Sequence, residues 1–305
     1  MGIGKHAQGM KLRKTFRWML SRPKNTWEPR TNSASAHPAK RVLGKELIVT
    51  FVNHATVLIQ TEGLNILTDP IWSMRTSPAS WLGPKRYREP GIPFGQLPPI
   101  DIILISHNHY DHMDLATLRK IREHGTPTII SGLGNSEYLS RHGIQGAIDL
   151  DWWQSIEINS AVTIRSVPAQ HFSSRALSDR DKTLWTGFVI ETPHGDTYFA
   201  GDTGYGLFAG AIKERYDEFR LGLIPIGAYI PSFIMSQVHL SPKEAYRFAG
   251  ELHVKTFIPI HFGTFRLADD TQDQPVQDLT EVMIKEENGV STVILENGQM
   301  ANVEA

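Results

Sequence analysis

Short runs of β-branched and aromatic residues begin at position 47 and recur along most of the chain. The first three runs, 47–52, 55–60 and 64–67, are separated by tight breaks such as Glu62-Gly63, and they predict an antiparallel meander. From residue 100 onward, strand-like runs alternate with segments of helical periodicity. We predict further strands at residues 101–105, 126–130, 161–167, 184–191, 196–200, 221–224 and 256–260.

Helices are predicted where apolar positions recur every three or four residues. Asp114 is a suitable N-cap for a helix over residues 114–122. Ser241-Pro-Lys-Glu244 forms a capping box with proline at the first helical position, so that helix should run to about residue 252. The other predicted helices span residues 135–141, 207–219 and 275–286.

The end of the chain predicts a hairpin. Asn288-Gly and Asn297-Gly bracket the strand-like runs 290–295 and 300–303, and Asn-Gly is a strong signal for a tight turn. The whole pattern contains two β-rich blocks, each followed by helices. It favours an α/β (α+β) body, beginning near Glu46, in which two sheets pack face to face with helices outside.

Residues 69–100 interrupt this pattern with a long stretch rich in Pro and Gly that carries several aromatic side chains. Loops of that length are uncommon in compact domains and are often functional. We predict a lid or an apolar wall at the entrance of a site, with an ordered Ω-type loop as the alternative.

The N-terminal segment, residues 1–45, differs from the body (46–305) in charge. It holds eleven Lys or Arg residues and one acid, so the remainder has 20 basic and 31 acidic residues. Residues 11–20 place apolar side chains at near-helical spacing among cations. This suits a short amphipathic helix at a lipid surface, with a basic frayed tail as the alternative. We predict a basic extension with a linker at 31–40, and we interpret residues 5–24 as a contact with an anionic membrane.

Composition excludes several classes of protein. The chain has 305 residues, 40% of them hydrophobic, and a formal net charge of −1, which gives no reason to expect a nucleic-acid partner. No run of about 18 apolar residues is present, so we expect no membrane-spanning helix and a cytoplasmic protein, peripheral at most on the inner face of the membrane. Cysteine is absent, which leaves His and carboxylate as the strong metal ligands.

The stretch Ser106-His107-Asn108-His109-Tyr110-Asp111-His112 places four metal-binding side chains directly after an apolar run. Side chains alternate along a strand, so His107 and His109 should leave the strand end on the same side. Asp111 and His112 follow in a turn and can serve a second centre. This compound pattern predicts the start of a two-metal hydrolase site.

Three more candidate ligands, His171, Asp202 and His261, each follow a predicted strand. Ligands at the ends of neighbouring strands converge on one edge of a sheet, so no strand interior has to bury an unpaired charge. We assign one metal to His107, His109 and His171, the second metal to Asp111, His112 and His261, and the bridging position to Asp202.

Imidazole and carboxylate ligands suit two Zn²⁺ ions, with Fe or Mn as alternatives. A hydroxide held between two such ions is available near pH ~7 and can attack phosphorus or a carbonyl carbon, so no protein nucleophile is needed. His54, His239 and His253 lack the support of this pattern, and we interpret His253 as structural.

The His-x-His-x-Asp-His pattern at His107 to His112 resembles the signature of the metallo-β-lactamase superfamily. Further blocks along the chain are Thr68-Asp-Pro-Ile-Trp72, Gly83-Pro-Lys-Arg-Tyr-Arg88, Leu97-Pro-Pro-Ile-Asp101, Asp149-Leu-Asp-Trp-Trp153, Phe199-Ala-Gly-Asp-Thr-Gly-Tyr205, Pro225-Ile-Gly-Ala-Tyr229 and Ile260-His-Phe-Gly-Thr264. In this order they resemble the N-acylphosphatidylethanolamine-hydrolysing phospholipase D family within that superfamily. The resemblance implies an αββα sandwich, two zinc ions and cleavage of a phospholipid on the headgroup side, and its ligands fall on the seven residues above.

The resemblance also adds His239 as a site residue near the substrate, in a phosphate-stabilising or proton-donating role, with a structural role as the alternative. Two departures bear on the substrate and leave the metal ligands alone. After Tyr229 the chain reads Ile-Pro-Ser-Phe-Ile-Met, whereas the eukaryotic enzymes of the family have a sequence similar to Glu-Pro-Arg-Trp-Phe-Met at this place. Asn53 stands where Gly is usual before His54. A missing Arg changes how a phosphate or headgroup is held.

We therefore hypothesise a zinc-dependent phosphodiesterase acting on a phospholipid, with Asp111, Asp202 and His239 as catalytic residues and a hydroxide bridging the zinc ions as the nucleophile. One alternative is a lactonase or small-molecule phosphodiesterase, similar to the ascorbate-6-phosphate lactonase branch. Another is a non-enzymatic metal-binding regulatory or membrane-adaptor protein. The sequence leaves the oligomeric state open, with a homodimer among the arrangements. Residues predicted to hold acyl chains, with core packing as the alternative, are Trp72, Met74, Trp81, Tyr229, Phe233, Ile234 and Met235.

Overall fold

The computed structural model of the chain describes residues 18, 21–24, 26–79, 81–176 and 178–304. Within these ranges, no helix is both long enough and apolar enough to cross a membrane. Apart from Trp18, the amphipathic helix predicted at residues 11–20 lies outside the described residues.

Strands form the centre of the domain, and the predicted opening meander is confirmed. The strands, numbered in chain order, are β1 (Leu47–Asn53), β2 (Thr56–Thr61), β3 (Leu64–Thr68), β4 (Ile102–Ile105), β5 (Thr128–Gly132), β6 (Ile148–Leu150), β7 (Ser155–Glu157), β8 (Thr163–Val167), β9 (Gly187–Glu191), β10 (Thr197–Phe199), β11 (Phe219–Pro225), β12 (Val254–Ile260), β13 (Ser291–Thr292) and β14 (Met300–Asn302).

The two sheets share one pattern of strand directions. The first sheet has the order β14-β1-β2-β3-β4-β5-β6, and the second has the order β7-β8-β9-β10-β11-β12-β13. Each order begins with three antiparallel pairs and continues with three parallel pairs. The domain is therefore built from two similar halves, although no repeat in the sequence indicates it.

Helices cover the outer faces of both sheets. Their starts follow local signals, since the Asp114 side chain accepts a hydrogen bond from the Ala116 N–H and the predicted capping box of Ser241 and Glu244 is present. A single 3₁₀ turn lies at Phe94–Gln96. The helices are α1 (Leu115–Arg122), α2 (Asn135–Arg141), α3 (Phe208–Lys213), α4 (Ser232–Met235), α5 (Pro242–Glu251) and α6 (Gln274–Lys285).

The apolar run of β4 shows how the layers pack. Ile102 and Leu104 belong to the core between the two sheets. Ile103 and Ile105 face the other way, into the core that α1 and α2 share with the first sheet. A strand buried on both faces has to be apolar at every position, which explains the continuous run. The four layers form the predicted αββα sandwich.

Two predicted elements are wrong. Runs 290–295 and 300–303 do not form a hairpin, because β13 pairs with β12 in the second sheet whereas β14 pairs with β1 in the first. The chain does turn at Asn297-Gly298, but there it crosses between the sheets, and the Gly298 N–H donates to the Phe51 carbonyl at 2.8 Å. The helix predicted at 207–219 ends at Lys213, since Phe219 already pairs as the first residue of β11.

The described part of the N-terminal segment is attached to the body. The Arg22 guanidinium lies 3.0 Å from the Asp269 carboxylate, and Arg30 Nη2 donates to Asp273 Oδ2 at 2.6 Å. Ala36, in the predicted linker, is buried in the core below the first sheet. This segment is rich in small and basic residues, but its described part packs against the body. The sequence alone did not indicate this packing.

Candidate metal centre

Four chain segments bring the predicted ligands to one edge of the sandwich. In the second sheet β8, β10 and β12 run in the same direction, so their C-terminal ends lie at a common edge. β4 of the first sheet ends at the same place. The residues that follow these four strand ends are His107 after β4, His171 after β8, Asp202 after β10 and His261 after β12.

Three histidines form the first group. His109 Nδ1 lies 2.8 Å from His107 Nε2 and 3.3 Å from His171 Nε2. Burial and the neighbouring charged groups lower the pKa of His107 and His171 well below the usual value, and that of His109 to about 4. All three imidazoles are therefore neutral at pH 7 and offer a lone pair to one shared point.

Asp111, His112 and His261 form the second group. Asp111 Oδ2 lies 3.3 Å from His112 Nε2 and 3.5 Å from His261 Nε2. Asp202 Oδ2 lies 3.2 Å from both of these nitrogen atoms and 3.8 Å from His171 Nε2 of the first group. The structure thus brings the seven predicted ligands together, with Asp202 between the two groups.

The donor set fits divalent cations. His112 Nε2, His261 Nε2 and Asp202 Oδ1 are buried and have no hydrogen-bond partner among the described residues. Buried polar atoms without a partner cost free energy, and a cation in contact with them removes that cost. Imidazole and carboxylate without thiolate are the ligands expected for zinc, iron or manganese.

The carboxylates and imidazoles in and around the second group strongly shift one another's pKa values. Burial alone would raise the pKa of Asp111 and Asp202, but the His112 and His261 imidazoles outweigh it and hold both carboxyls well below their usual range. Conversely, burial opposes protonation of His261, but Asp202 and Asp111 raise its pKa to about 9. The site therefore attracts positive charge, as a cation-binding site must.

Asp69, which follows β3, orients one imidazole of each group. Its Oδ2 accepts from His112 Nδ1 at 2.6 Å and from the Ser106 hydroxyl at 2.6 Å, and Ser106 Oγ lies 2.9 Å from His107 Nδ1. Its Oδ1 accepts from the Ser106 N–H at 2.7 Å. These contacts place a proton on each Nδ1 and leave each Nε2 free to face a cation. The sequence pattern did not single out Asp69, although its position at a strand end is the signal that indicated the ligands.

His54 also belongs to this site, although the sequence pattern gave it no role. It lies in the turn between β1 and β2, fully buried, with Nε2 3.0 Å from Asp111 Oδ2. Its carbonyl accepts from the His261 N–H at 2.7 Å. Burial and His261 together lower the pKa of His54 to about 3, so the ring is neutral and can donate to Asp111. His253 lies elsewhere, where its Nδ1 is 2.8 Å from the Asp217 carbonyl.

Arg175 holds the metal-binding turn from outside. Its Nη1 donates to the carbonyls of Asn108 at 2.7 Å and Met113 at 2.8 Å, which are the two ends of that turn. Its guanidinium lies 3.9 Å from the ring centre of Tyr110, whose hydroxyl donates to the Arg175 carbonyl at 3.0 Å. Nothing in the sequence pattern pointed to this residue, because its guanidinium contacts backbone carbonyls and the rings of Tyr110 and Tyr138.

Glycine allows segments of the chain to approach each other closely at the site. Gly201 has a φ of 60°, and a Cβ there would lie 2.5 Å from Ser106 Cβ. Gly227 passes the His261 carbonyl so closely that a Cβ would lie 2.0 Å away. Neither position can hold a larger residue without moving the neighbouring ligand segment.

His239 and the predicted acyl-chain residues are distributed unevenly. His239 is partly buried, with Nδ1 3.8 Å from Asp202 Oδ2 at the side of the first group. Met74, Trp81 and Phe233 are exposed, whereas Met235 is intermediate. The remaining three contact the body: Trp72 packs edge-on against Phe94, the Tyr229 hydroxyl donates to Asp278, and Ile234 is buried.

Comparison with known families gives a match over most of the body. Residues 64–262 match the family described as beta-lactamase superfamily domain. An N-acyl-phosphatidylethanolamine-hydrolyzing phospholipase D of Caenorhabditis elegans is 35% identical over 249 residues, which are 78% of this chain and 70% of that protein.

Two further proteins extend the comparison. An uncharacterised protein of Mycobacterium tuberculosis is 37% identical over 240 residues, covering 76% of this chain but only 63% of its own length. The crystal structure of a possible metal-dependent hydrolase of Veillonella parvula has a TM-score of 0.67 and 18% identity, covering 85% of this chain and all of that chain. The structural similarity identifies the metallo-β-lactamase fold.

Proposed function

The chain belongs to the N-acylphosphatidylethanolamine-hydrolysing phospholipase D-like family of the metallo-β-lactamase superfamily, and on this premise we propose that it is a two-zinc phosphodiesterase that cleaves a phospholipid on the headgroup side. It is a metal-dependent hydrolase of that superfamily. We propose three further points: the substrate is a phospholipid, the metal is zinc, and two ions are bound.

The position of Asp202 carries this proposal. One carboxylate oxygen lies 3.2 Å from Nε2 of both His112 and His261, and its nearest approach to the other group is 3.8 Å, at His171 Nε2. A carboxylate between two sets of three ligands is the arrangement needed to hold two cations side by side. The 35% identity to a phospholipase D supports a phosphodiester as the substrate.

The chain's own residues then supply binding and orientation. Two zinc ions bound there would provide a nucleophile from water near neutral pH and neutralise charge on the attacked phosphoryl group. Asp69 fixes His107 and His112 in the tautomer that such ions require, and His54 fixes Asp111. Asp202, in the bridging role, fixes the positions of the two groups of ligands relative to each other.

We assign the contact with the substrate to His239. Burial, with the nearby His261 also contributing, lowers its pKa to about 4, so the neutral ring carries one N–H at pH 7. That N–H can donate to a phosphoryl oxygen beside Asp202. We expect His239→Gln to lower kcat but to change the metal content little. The glutamine amide would donate its hydrogen bond from a different position than the imidazole N–H.

Of the residues predicted to hold acyl chains, we retain the exposed Met74, Trp81 and Phe233 and the intermediate Met235 for that role. Trp72 and Tyr229 already have partners in the body, and Ile234 is buried. The proposed membrane contact through residues 5–24 is described only at Trp18 and residues 21–24, where Arg22 is paired with Asp269.

The test is a direct assay of lipid hydrolysis. Purified protein loaded with zinc is mixed with vesicles containing N-acylated or ordinary phosphatidylethanolamine, and the products are identified by mass spectrometry. Phosphatidic acid together with the released headgroup alcohol, N-acylethanolamine or ethanolamine, supports the proposal, and Asp202→Asn should release neither. A fully loaded protein that hydrolyses a lactone or a soluble phosphodiester but no phospholipid would refute the lipid part. Failure on every ester at full metal loading would refute the enzymatic part.

A further inference from the structure

Residues 73–79 and 81–85, which we call the Trp81 loop, project from the long stretch between β3 and β4. The base of the loop is held firmly, since the Ser73 N–H donates to Asp114 Oδ2 at 3.1 Å and the Arg86 N–H donates to the Met74 carbonyl at 2.8 Å. Arg75 and Lys85 form an antiparallel bridge at the same level. The tip is therefore presented by an ordered neck.

The loop exposes large apolar side chains, Trp81 and Leu82 at its tip and Met74 at its base. Trp81 is 77% exposed, Leu82 57% and Met74 54%. Exposed apolar residues are common one at a time, but three in one short loop indicate a surface that contacts another apolar phase. An aromatic ring next to an aliphatic side chain is the combination favoured at the boundary between lipid headgroups and acyl chains.

The charge around the tip has one sign. The sequence from Ser73 to Arg88 contains Arg75, Lys85 and two further arginines but no acid. Neither Arg75 nor Lys85 forms an ion pair with a carboxylate among the described residues. Lys85 lies over the Tyr87 ring at 5.0 Å. Cations around an apolar tip are complementary to an anionic lipid surface.

Contacts at both ends of the loop connect it to the metal centre. Asp114, which holds Ser73, is two residues from the predicted ligand His112. At the other end of the loop, the Arg86 guanidinium lies 5.2 Å from the ring centre of Phe265, and that ring packs edge-on against His54 at 5.3 Å. Both ends of the loop are thereby attached to segments that form the site.

We propose that the Trp81 loop docks the protein on an anionic phospholipid bilayer, with Trp81, Leu82 and Met74 in the interface and Lys85 among the headgroups. This inference rests on the proposed function, since it presents the site to a lipid substrate. It locates the membrane contact in the body of the protein, whereas sequence analysis located it in residues 5–24.

Vesicle binding measured without hydrolysis tests the inference. The full chain is sedimented with vesicles of phosphatidylcholine containing phosphatidylglycerol, and the partition coefficient is compared among variants. We expect the double variant Trp81→Ser/Leu82→Ser to bind at least about tenfold more weakly. Lys85→Ser should bind about fivefold more weakly at low salt and show a smaller loss at high salt. Ile284→Ser, which removes a side chain that is 79% exposed on α6, is the control and should bind as the wild type.

Two comparisons separate this inference from its rivals. If replacing Lys11, Arg13 and Lys14 by Ser abolishes binding while the Trp81 loop variants bind normally, the contact lies in the N-terminal segment and the inference is wrong. If the wild type does not bind vesicles but self-associates in sedimentation, and the double variant does not, the loop contacts a second copy and the inference is wrong. Asp202→Asn, inert in hydrolysis, should still bind vesicles, so failure of the proposed function would be seen separately.

Discussion

Replacing Asp69 by Asn should weaken the metal centre selectively without changing a ligand. The carboxylate accepts three hydrogen bonds through its two oxygens, from His112 Nδ1, from the Ser106 hydroxyl and from the Ser106 N–H. Asparagine has only one oxygen, so its amide group must face either the Ser106 N–H or the His112 N–H, which are both donors. The charge that holds the His112 proton on Nδ1 is lost as well.

The expected loss of metal affinity depends on which imidazole loses its hydrogen-bond partner. Loss of an outer partner of a ligating histidine typically lowers metal affinity by about 10–100-fold. We expect a change of this size at the second group, where His112 contacts Asp69 directly. At the first group, His107 contacts Asp69 only through the Ser106 hydroxyl, so a smaller decrease is expected there.

Zinc affinity is measured by competition with a chromophoric chelator, and the zinc content is measured after dialysis. The control is Asp149→Asn, because Asp149 also accepts from backbone N–H groups and serine hydroxyls but contacts no histidine. We expect the Asp69 variant to retain about one tightly bound zinc and the control to retain the wild-type content. Two zinc ions bound with wild-type affinity in Asp69→Asn would refute the role assigned to this carboxylate.

Three further perturbations test other parts of the structure. Asp202→Asn should lower the metal content below two per chain and reduce hydrolysis more than about 100-fold, because both groups share that carboxylate; equal metal content in the two proteins by mass spectrometry would contradict the bridging role. Arg175→Ala frees the two carbonyls that it binds and should lower zinc affinity about tenfold while the fold is kept, as checked by chelator competition and circular dichroism. Arg30 holds the pKa of Asp273 below its usual range, and the Ser33 hydroxyl together with Arg88 does the same for Glu296. The contribution of both carboxylates to stability is therefore present at neutral pH and is lost as the pH falls through those depressed values. Limited proteolysis should therefore cut residues 26–33 faster at about pH 3 than at pH 7, and equal rates would show that these ion pairs do not hold the segment.

The predicted ligands came from a strictly local signal. An all-apolar strand followed by His107 and His109, and three later strand ends followed by His or Asp, were visible in the sequence, and the structure places these side chains together. Their role as ligands stays a prediction. Asp69 obeys the same rule of position, since it follows the buried strand β3, but its role emerges only when the Ser106 segment lies beside it, 37 residues later.

The errors have a common origin in long-range pairing. The Asn297-Gly298 turn is correctly predicted, but no local pattern tells whether the strands on either side pair with each other or with separate sheets. The attachment of the N-terminal segment rests on Arg22 and Arg30, whose partners lie more than 240 residues away. Arg175 was missed for a similar reason, since backbone carbonyls have no signature in a sequence.

The pairing of β14 with β1 bears on the order in which the protein can be completed during synthesis. β1 lacks its outer neighbour until residues 300–302 leave the ribosome, because Met300 pairs with Thr50 and Asn302 with Ile48. Until then a nascent chain holds every predicted metal ligand but exposes an unpaired strand edge, which is a site for wrong association. A stalled or truncated product ending before residue 300 should therefore aggregate through the first sheet while its metal centre is already complete in sequence.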